Sequence, residues 1–494
     1  MKRLIRMVLS RTTFVLLLLL AQIILFLFLI DYVSQYRYIS TGFYVISVLI
    51  VTYLITREEN PIYKLSWIIP ILIFPLFGGL FYLLYRQRNV SSKVQTIHDE
   101  INQSREDYIK PYKTTSHSKE SVYLNRQAWP TYQHTKTDFL ESGEALFEAL
   151  LRDLKEAKSY IFMEFFIINK GVMWTQILDI LKMKVKEGVE VKVLYDDFGS
   201  STLPYQYKKK LRSYGLEAYS FNPMRIHLNF AMNYRDHRKI VVIDGNVGYT
   251  GGINIGDEYI NKVSPFGHWQ DAGIRLEGRA VWSLLLGFLE NWRFTSRKEI
   301  DYASYKGTTD IDENDGFVTP FSDTPLDKEL STKNIYLSLI NSAKSSICIT
   351  SPYLIIDNEL TTALKFAAKS GIDIRIIIPY IADKKIIFMV TESYVPELME
   401  AGVKVYRYQP GFIHSKMMIV DDQKAMIGTA NLDFRSLYLH FENMVYLDRC
   451  NSVHEMTDFF NKTIEKSMLI KETDQRGMIY RLLQIIFRGF SSLM

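Results

Sequence analysis

The chain has 494 residues, 48% of them apolar, and a formal net charge of +5, with 59 Lys and Arg against 54 Asp and Glu. It is long enough for more than one domain, and so small a net charge with no interleaving of basic and aromatic residues argues against a nucleic-acid-binding protein. The only cysteines, Cys348 and Cys450, are far apart and no zinc-ligand spacing occurs, so neither a metal nor another cofactor is expected.

The apolar residues crowd into the first 85 positions. After a basic start (Lys2, Arg3, Arg6, Arg11), Phe14 to Ile30 is unbroken and apolar and no small-x-small cleavage site follows, which favours an uncleaved anchor over a signal peptide. Thr41 to Thr56 is a second, shorter run, and Leu65 to Tyr85 a third, interrupted by Pro70, Pro75 and Gly78-Gly79. Residues 1–88 therefore read as a membrane-anchoring region of two or three hydrophobic helices, crossing the membrane more than once. Three full crossings would put six basic residues inside against four outside, with the rest of the chain external; if one run fails to cross, the rest is cytoplasmic.

Residues 89–137 are polar and read as a linker with partial helix. Beyond them one αβ pattern occurs twice, over 138–310 and 311–474. Helix Glu144–Ala157, strand Tyr160–Ile168, helix Ile177–Glu187 and strand Val189–Tyr195 are answered by Asn334–Ala343, Ile347–Tyr353, Leu360–Ser370 and Ile372–Pro379. This alternation predicts an α/β fold of two pseudo-symmetric halves, each around a mixed, mostly parallel sheet. Met224 to Asn233, present only in the first half, reads either as a lipid entrance or as a surface loop. Residues 475–494 form an amphipathic helix, interfacial on an anionic bilayer or packed on the preceding domain.

The centre of each half is a shared motif. His237-Arg238-Lys239 with Asp244 recurs 177 residues later as His414-Ser415-Lys416 with Asp421, and Asn254 and Asn431 each fall 17 residues beyond their histidine. On a strand, residues two apart share a face, so each His and Lys point together. The aspartates lie an odd step away; we place them in the motif set, with a structural role at the following turn more consistent with their position.

Two lysines and two asparagines converging from two halves would hold a phosphate and stabilise charge developing at phosphorus. One histidine can attack as nucleophile while the other protonates the leaving alcohol and then deprotonates the incoming one. A nucleophilic histidine must be neutral and held in one tautomer, and Asp271 and Glu442 are the carboxylates placed to do this.

These paired motifs resemble those of the phospholipase D superfamily, and the surroundings resemble its bacterial cardiolipin synthases. Supporting stretches are Asn60-Pro61, Pro75-Leu76-Phe77-Gly78-Gly79, Tyr195-Asp196-Asp197-Phe198-Gly199-Ser200, Tyr234-Arg235-Asp236, Ser351-Pro352-Tyr353 and Gly411-Phe412-Ile413. Asp236 and His440 stand where that family usually has Asn. The resemblance implies one active site shared by two phospholipase D-like halves, with catalytic residues His237, Lys239, Asp244, His414, Lys416 and Asp421, and His237 as the nucleophile. It also implies the reaction: one phosphatidylglycerol loads His237 and releases glycerol, and a second accepts the phosphatidyl group to give cardiolipin. Water or another alcohol as acceptor would make the protein a phospholipase D-type hydrolase or a different phosphatidyltransferase. A catalytically silent membrane scaffold is the remaining alternative, and the intact His, Lys and Asn of both halves argue against it.

Overall fold

The computed structural model describes residues 37–58, 60–74, 78–79, 82, 92–109, 118–223, 234–309, 311, 315–327, 329–471 and 477–493. The chain divides into two compact units after Arg88. The apolar run Phe14–Ile30 and the Met224–Asn233 stretch lie outside the described residues.

In the first unit, helix α1 (Arg37–Thr56) is joined by a short turn to helix α2 (Pro61–Ile73). Asn60 starts α2: its side chain accepts from the Ile62 N–H at 2.9 Å, and Pro61 occupies the first helical position, where no donor is needed. Leu54, Trp67, Ile71 and Tyr82 form the small core. The third apolar run thus enters its helix four residues before Leu65, and that helix ends at Ile73. Among the described residues no helix is long and apolar enough to cross a membrane.

The second unit begins inside the expected linker. Helices α3 (Ser92–Ile109) and α4 (Lys119–Arg126) are built into the larger body, not strung between domains. Arg105 forks onto the buried Glu290 at 2.6 and 2.8 Å and stacks 4.2 Å above the Trp129 ring, while Glu120, itself buried, takes Lys424 at 2.8 Å and Ser338 at 2.7 Å. Polar composition suggested a solvated tether; these polar groups are instead consumed in specific pairs.

The first half contains strands β1 (Thr135–Leu140), β2 (Tyr160–Phe165), β3 (Glu190–Asp196), β4 (Glu217–Phe221), β5 (Arg235–Asp236), β6 (Lys239–Ile243), β7 (Val247–Gly251), β8 (His268–Gln270) and β9 (Gly273–Gly278). Helices α5 (Gly143–Glu156), α6 (Val172–Lys186), α7 (Tyr207–Arg212) and α8 (Val281–Ser296) accompany them. Its main sheet runs β1-β9-β7-β6-β2-β3-β4. The second half has β10 (Phe317–Asp323), β11 (Ser346–Thr350), β12 (Leu354–Ile355), β13 (Asp373–Pro379), β14 (Lys404–Tyr408), β15 (Gly411–Ile413), β16 (Met417–Val420), β17 (Lys424–Gly428), β18 (Leu432–Asp433), β19 (His440–Asp448) and β20 (Ser467–Leu469). With them come α9 (Ser331–Ser342), α10 (Asn358–Lys369), α11 (Lys385–Glu400), α12 (Phe434–Tyr438), α13 (Asn451–Glu465) and α14 (Met478–Arg488). Its sheet, β10-β19-β17-β16-β11-β13-β14-β20, repeats the first strand for strand and adds β20. The internal repeat read from the motifs is therefore a repeat of topology.

The sheets are mixed but not mostly parallel, which corrects the expectation. Along the two main strand orders, β2–β3–β4 and β11–β13–β14 run parallel and every other neighbouring pair runs antiparallel. The motif strands β6 and β16 fold straight back as antiparallel hairpins with β7 and β17, through turns at Asp244-Gly245 and Asp421-Asp422 where the backbone has positive φ.

The halves also exchange short pairings. β5 lies parallel to the start of β19, with Arg235 opposite His440 and Asp236 opposite Phe441. Reciprocally, β15 lies parallel to β8, with Ile413 opposite Gln270. Each of these strands stops one residue before a motif histidine.

Candidate active site

The exchanged pairings place the histidines. The His237 N–H donates to the Phe441 carbonyl at 2.9 Å, and the His414 N–H to the Gln270 carbonyl at 2.6 Å. In both cases the residue after that carbonyl is the carboxylate that takes the ring: Glu442 accepts from His237 Nδ1 at 2.9 and 3.0 Å, and Asp271 accepts from His414 Nδ1 at 2.6 Å. The orienting carboxylates are therefore crossed, each half supplying the one that serves the other half's histidine. With Nδ1 occupied, Nε2 is the nitrogen left to carry chemistry.

Both histidines are 7% exposed and both carboxylates fully buried. Burial, partly offset by Glu442, drives His237 down to about 3; burial and the neighbouring Lys416, against Asp271, drive His414 down to about 4. Both rings are thus neutral at pH 7, while Glu442, which burial alone would raise, is held well below its ordinary range by its contacts with His237 and His440 together. The lysines feel the same cavity: burial brings Lys239 down to about 8 and Lys416 to about 7. Lys239 Nζ donates to the His237 carbonyl at 2.6 Å, and Lys416 Nζ lies 2.9 Å from His414 Nδ1.

Aromatic rings wall the site. Phe166 meets His237 edge-on with centroids 5.0 Å apart, and Trp269 and Tyr259 approach His414 at 5.0 and 5.6 Å.

The two halves support their carboxylates differently. Gly252 packs so close to Asp271 that a Cβ there would stand 2.1 Å from its Oδ1. The equivalent residue of the second half is Thr429, and its hydroxyl donates to Glu442 Oε2. Asn443, next to Glu442, accepts from the Lys239 N–H at 3.3 Å and donates to Thr250 at 2.5 Å, tying β19 to the first motif strand. Nothing in the spacing singled out Thr429 or Asn443; only matching the repeats position by position against Gly252 would have found the first.

Asp244 and Asp421 sit in the hairpin turns, bonded to backbone. Asp244 accepts from the N–H groups of Lys158, Ser159 and Tyr160 at 2.7–2.8 Å, and Asp421 from those of Lys344, Ser345 and Ser346 at 2.8–3.0 Å. They tie the motif hairpin to the start of the neighbouring antiparallel strand, β2 or β11, at the end of the sheet away from the histidines. The odd seven-residue step is the reason: it carries the carboxylate past the strand into the turn.

Asn254 and Asn431 also differ. Asn254 accepts from the Ile167 N–H at 3.0 Å and donates to Tyr259 at 2.8 Å, so the protein holds both ends of its amide; the buried Asn431 Oδ1 has no hydrogen-bond partner among the described residues. Asp196, in the Tyr195-Asp196-Asp197 stretch, is buried and accepts from the N–H groups of Phe198, Gly199 and Asp236, fixing β5 where it meets the other half. Asp236 itself faces the buried Glu164, and burial beside that second carboxyl pushes it well above its ordinary range.

Among the described residues, His237, His440 and Glu442 offer ligand atoms within 4.8 Å of one another. Glu442 is already committed to His237 and Thr429, and Lys239 and Lys416 both act on it electrostatically, which opposes a divalent cation there.

A family model described as "Cardiolipin synthase, PLD-like domain" matches residues 150–264 and 336–464, and one described as "Phospholipase_D-nuclease N-terminal" matches 44–87. The chain is 38% identical over 487 residues to a cardiolipin synthase of Alkalihalophilus pseudofirmus, covering 92% of this chain and 96% of that one. It is 37% identical over 452 residues to cardiolipin synthase 2 of Bacillus anthracis, covering 89% and 88%. Among solved structures, phosphatidylserine synthase of Haemophilus influenzae aligns with a TM-score of 0.57 at 14% identity, over 77% of this chain and 98% of that chain, a likeness of fold. Fold and paired motifs make this a phospholipase D-type protein. Within that class, the chain belongs to the cardiolipin synthase family.

Proposed function

We propose that the protein is a cardiolipin synthase that transfers a phosphatidyl group from one phosphatidylglycerol to another through a phosphatidyl-histidine intermediate. The observation that carries this reading is the crossed pair of His–carboxylate contacts, which holds two neutral imidazoles by Nδ1, leaving Nε2 for chemistry, in one buried cluster with two lysines.

His237 Nε2 attacks phosphorus, the bond from phosphorus to the glycerol oxygen breaks, and His414 gives its Nε2 proton to the departing glycerol. The second phosphatidylglycerol then loses a hydroxyl proton to His414, its oxygen attacks phosphorus and the P–N bond breaks, releasing cardiolipin and restoring both rings. Glu442 fixes the attacking tautomer, and Lys239, Lys416 and Asn431 neutralise the phosphate oxygens. His414 must be protonated for the first step, although the empty site holds it neutral; the anionic phosphodiester supplies the charge that raises it. The aromatic walls keep the site dry, favouring a lipid alcohol over water as acceptor. We place the chain at a bacterial cell membrane with residues 1–88 as its anchoring region, supported by their apolar runs and by the family match over 44–87.

Incubating the purified protein with phosphatidylglycerol alone and following products by mass spectrometry tests the reading. Cardiolipin with equimolar glycerol is expected. Phosphatidic acid in place of cardiolipin would make it a hydrolase, and no product from any phospholipid would sink the catalytic reading.

A further inference from the structure

Helix α14 is amphipathic the wrong way round for a helix that simply completes a protein body. Its polar side chains face inward onto α11: Tyr480 donates to Glu392 at 2.5 Å, Gln484 to the Met389 carbonyl at 3.2 Å, and Arg488 to Glu397 at 2.7 Å and the Ser393 carbonyl at 3.0 Å. The apolar residues face out, with Met478 86%, Ile479 77%, Leu482 58% and Ile485 70% exposed. Apolar surface left in water forgoes about 25 cal/mol per Å², so a stripe this dense is expected to be covered in the working protein.

What covers it follows from its setting. Eleven residues make about 16 Å of helix, too short to cross a bilayer but suited to lying in its surface. Basic groups gather on the other side of the helix: Arg407, Lys471, Arg481 and Arg488 line a cavity of about 450 Å³ between α14 and α11, together with Glu392 and Glu400, with Arg407 paired to Glu392 and Arg488 to Glu397. At the N-terminal end of α11, Tyr380, Ile381 and Ile386 are exposed beside the exposed Lys384 and Lys385. That loop is pinned to the site's wall, since Tyr353 donates to Asp383 at 2.5 Å and its ring lies 6.5 Å from Phe412, which in turn packs 5.8 Å from His414.

We infer that the apolar face of α14 and the Tyr380–Ile386 rim together form a docking surface for an anionic phospholipid bilayer, seating the cavity mouth at the level from which lipid headgroups enter. This rests on the phospholipid substrate proposed above. Basic residues beside an apolar stripe match the charge and depth of an anionic interface; a soluble partner protein would call for no such pairing.

The test uses the full chain in phosphatidylglycerol vesicles with a bimane fluorophore on Ile485→Cys; the two native cysteines are buried. A nitroxide-bearing lipid should quench this probe roughly twofold and shift its emission to the blue. The same probe at Tyr205→Cys, exposed in the first half, should stay unquenched. An unquenched Ile485→Cys probe would overturn the proposal, as would efficient self-cross-linking of Ile485→Cys in vesicles, which would mean that a second copy covers the face. A second variant, Leu482→Glu with Ile485→Glu, should slow turnover of vesicle lipid roughly tenfold while leaving turnover of a monomerically dispersed short-chain phosphatidylglycerol unchanged; equal loss on both would also overturn it. Quenching is read without turnover, so a failure of the cardiolipin reading and a failure of the docking surface are separate results.

Discussion

Glu442 holds the ring of His237 from 205 residues away, across the boundary between the two halves. Asp271 does the same for His414 in the opposite direction. The histidine proposed as the nucleophile is thus oriented by a residue that its own half does not contain.

Removing the charge but not the shape of these carboxylates should cost rate, not fold. Glu442→Gln can offer its amide N–H to Nδ1 and so favours the tautomer with the proton on Nε2, where attack must occur. A fall in kcat of about 10²–10⁴ is expected, with formation of the phosphatidyl-enzyme slowed in a single-turnover experiment. Wild-type single-turnover rates in Glu442→Gln would contradict the crossed assignment.

The two histidines should separate by trapping. His237→Ala should yield no covalent phosphatidyl-protein with labelled phosphatidylglycerol, whereas His414→Asn should load slowly and then stall, leaving labelled lipid on the protein after denaturation. Label on His237→Ala but not on His414→Asn would reverse the roles.

Asp244→Ala should behave as a stability variant. It releases three backbone donors at the start of β2, and a loss of about 1–3 kcal/mol in denaturant unfolding is expected, with turnover per folded molecule within a few-fold of the parent. Loss of turnover without loss of stability would return Asp244 to the catalytic set.

Lys416 makes a pH-dependent prediction. Burial lowers it from the ordinary 10.5 to about 7, so between those values the unfolded chain binds a proton that the folded chain does not, and stability rises with pH through that window. The cost of burying the ammonium is therefore present in full below about pH 7 and gone above about 10.5. Lys416→Met should be more stable than the parent at pH 6, with the difference shrinking as pH rises from 7 toward 10; a difference independent of pH would show that Lys416 is not charged in the cavity.

Much of the site was legible because it repeats. His237 and His414, the two lysines and the following asparagines could be matched by counting, and the strand order of the two sheets follows the same correspondence. Parity alone moved Asp244 and Asp421 from the chemistry to the turns. The crossing of Glu442 and Asp271 was not legible, because it depends on β5 pairing with β19 and β15 with β8, contacts between segments far apart in sequence with no local pattern of their own. The majority of antiparallel pairs was missed for a related reason: alternating helices and strands suggest parallel crossovers, while the hairpins that carry the motifs are hidden inside apolar runs too short to show their turns. Helices α3 and α4 were read as tether because their polar residues find partners in segments more than a hundred positions away, such as Glu290 and Lys424.

The crossed carboxylates also bear on the order in which the site is assembled. Synthesis delivers His237 long before Glu442, and for that interval the ring has no partner to fix its attacking tautomer. Because each half supplies the carboxylate that orients the other's imidazole, neither ring is fixed in one tautomer until β5 meets β19 and β15 meets β8, and the two-histidine site is assembled by the same docking that joins the halves.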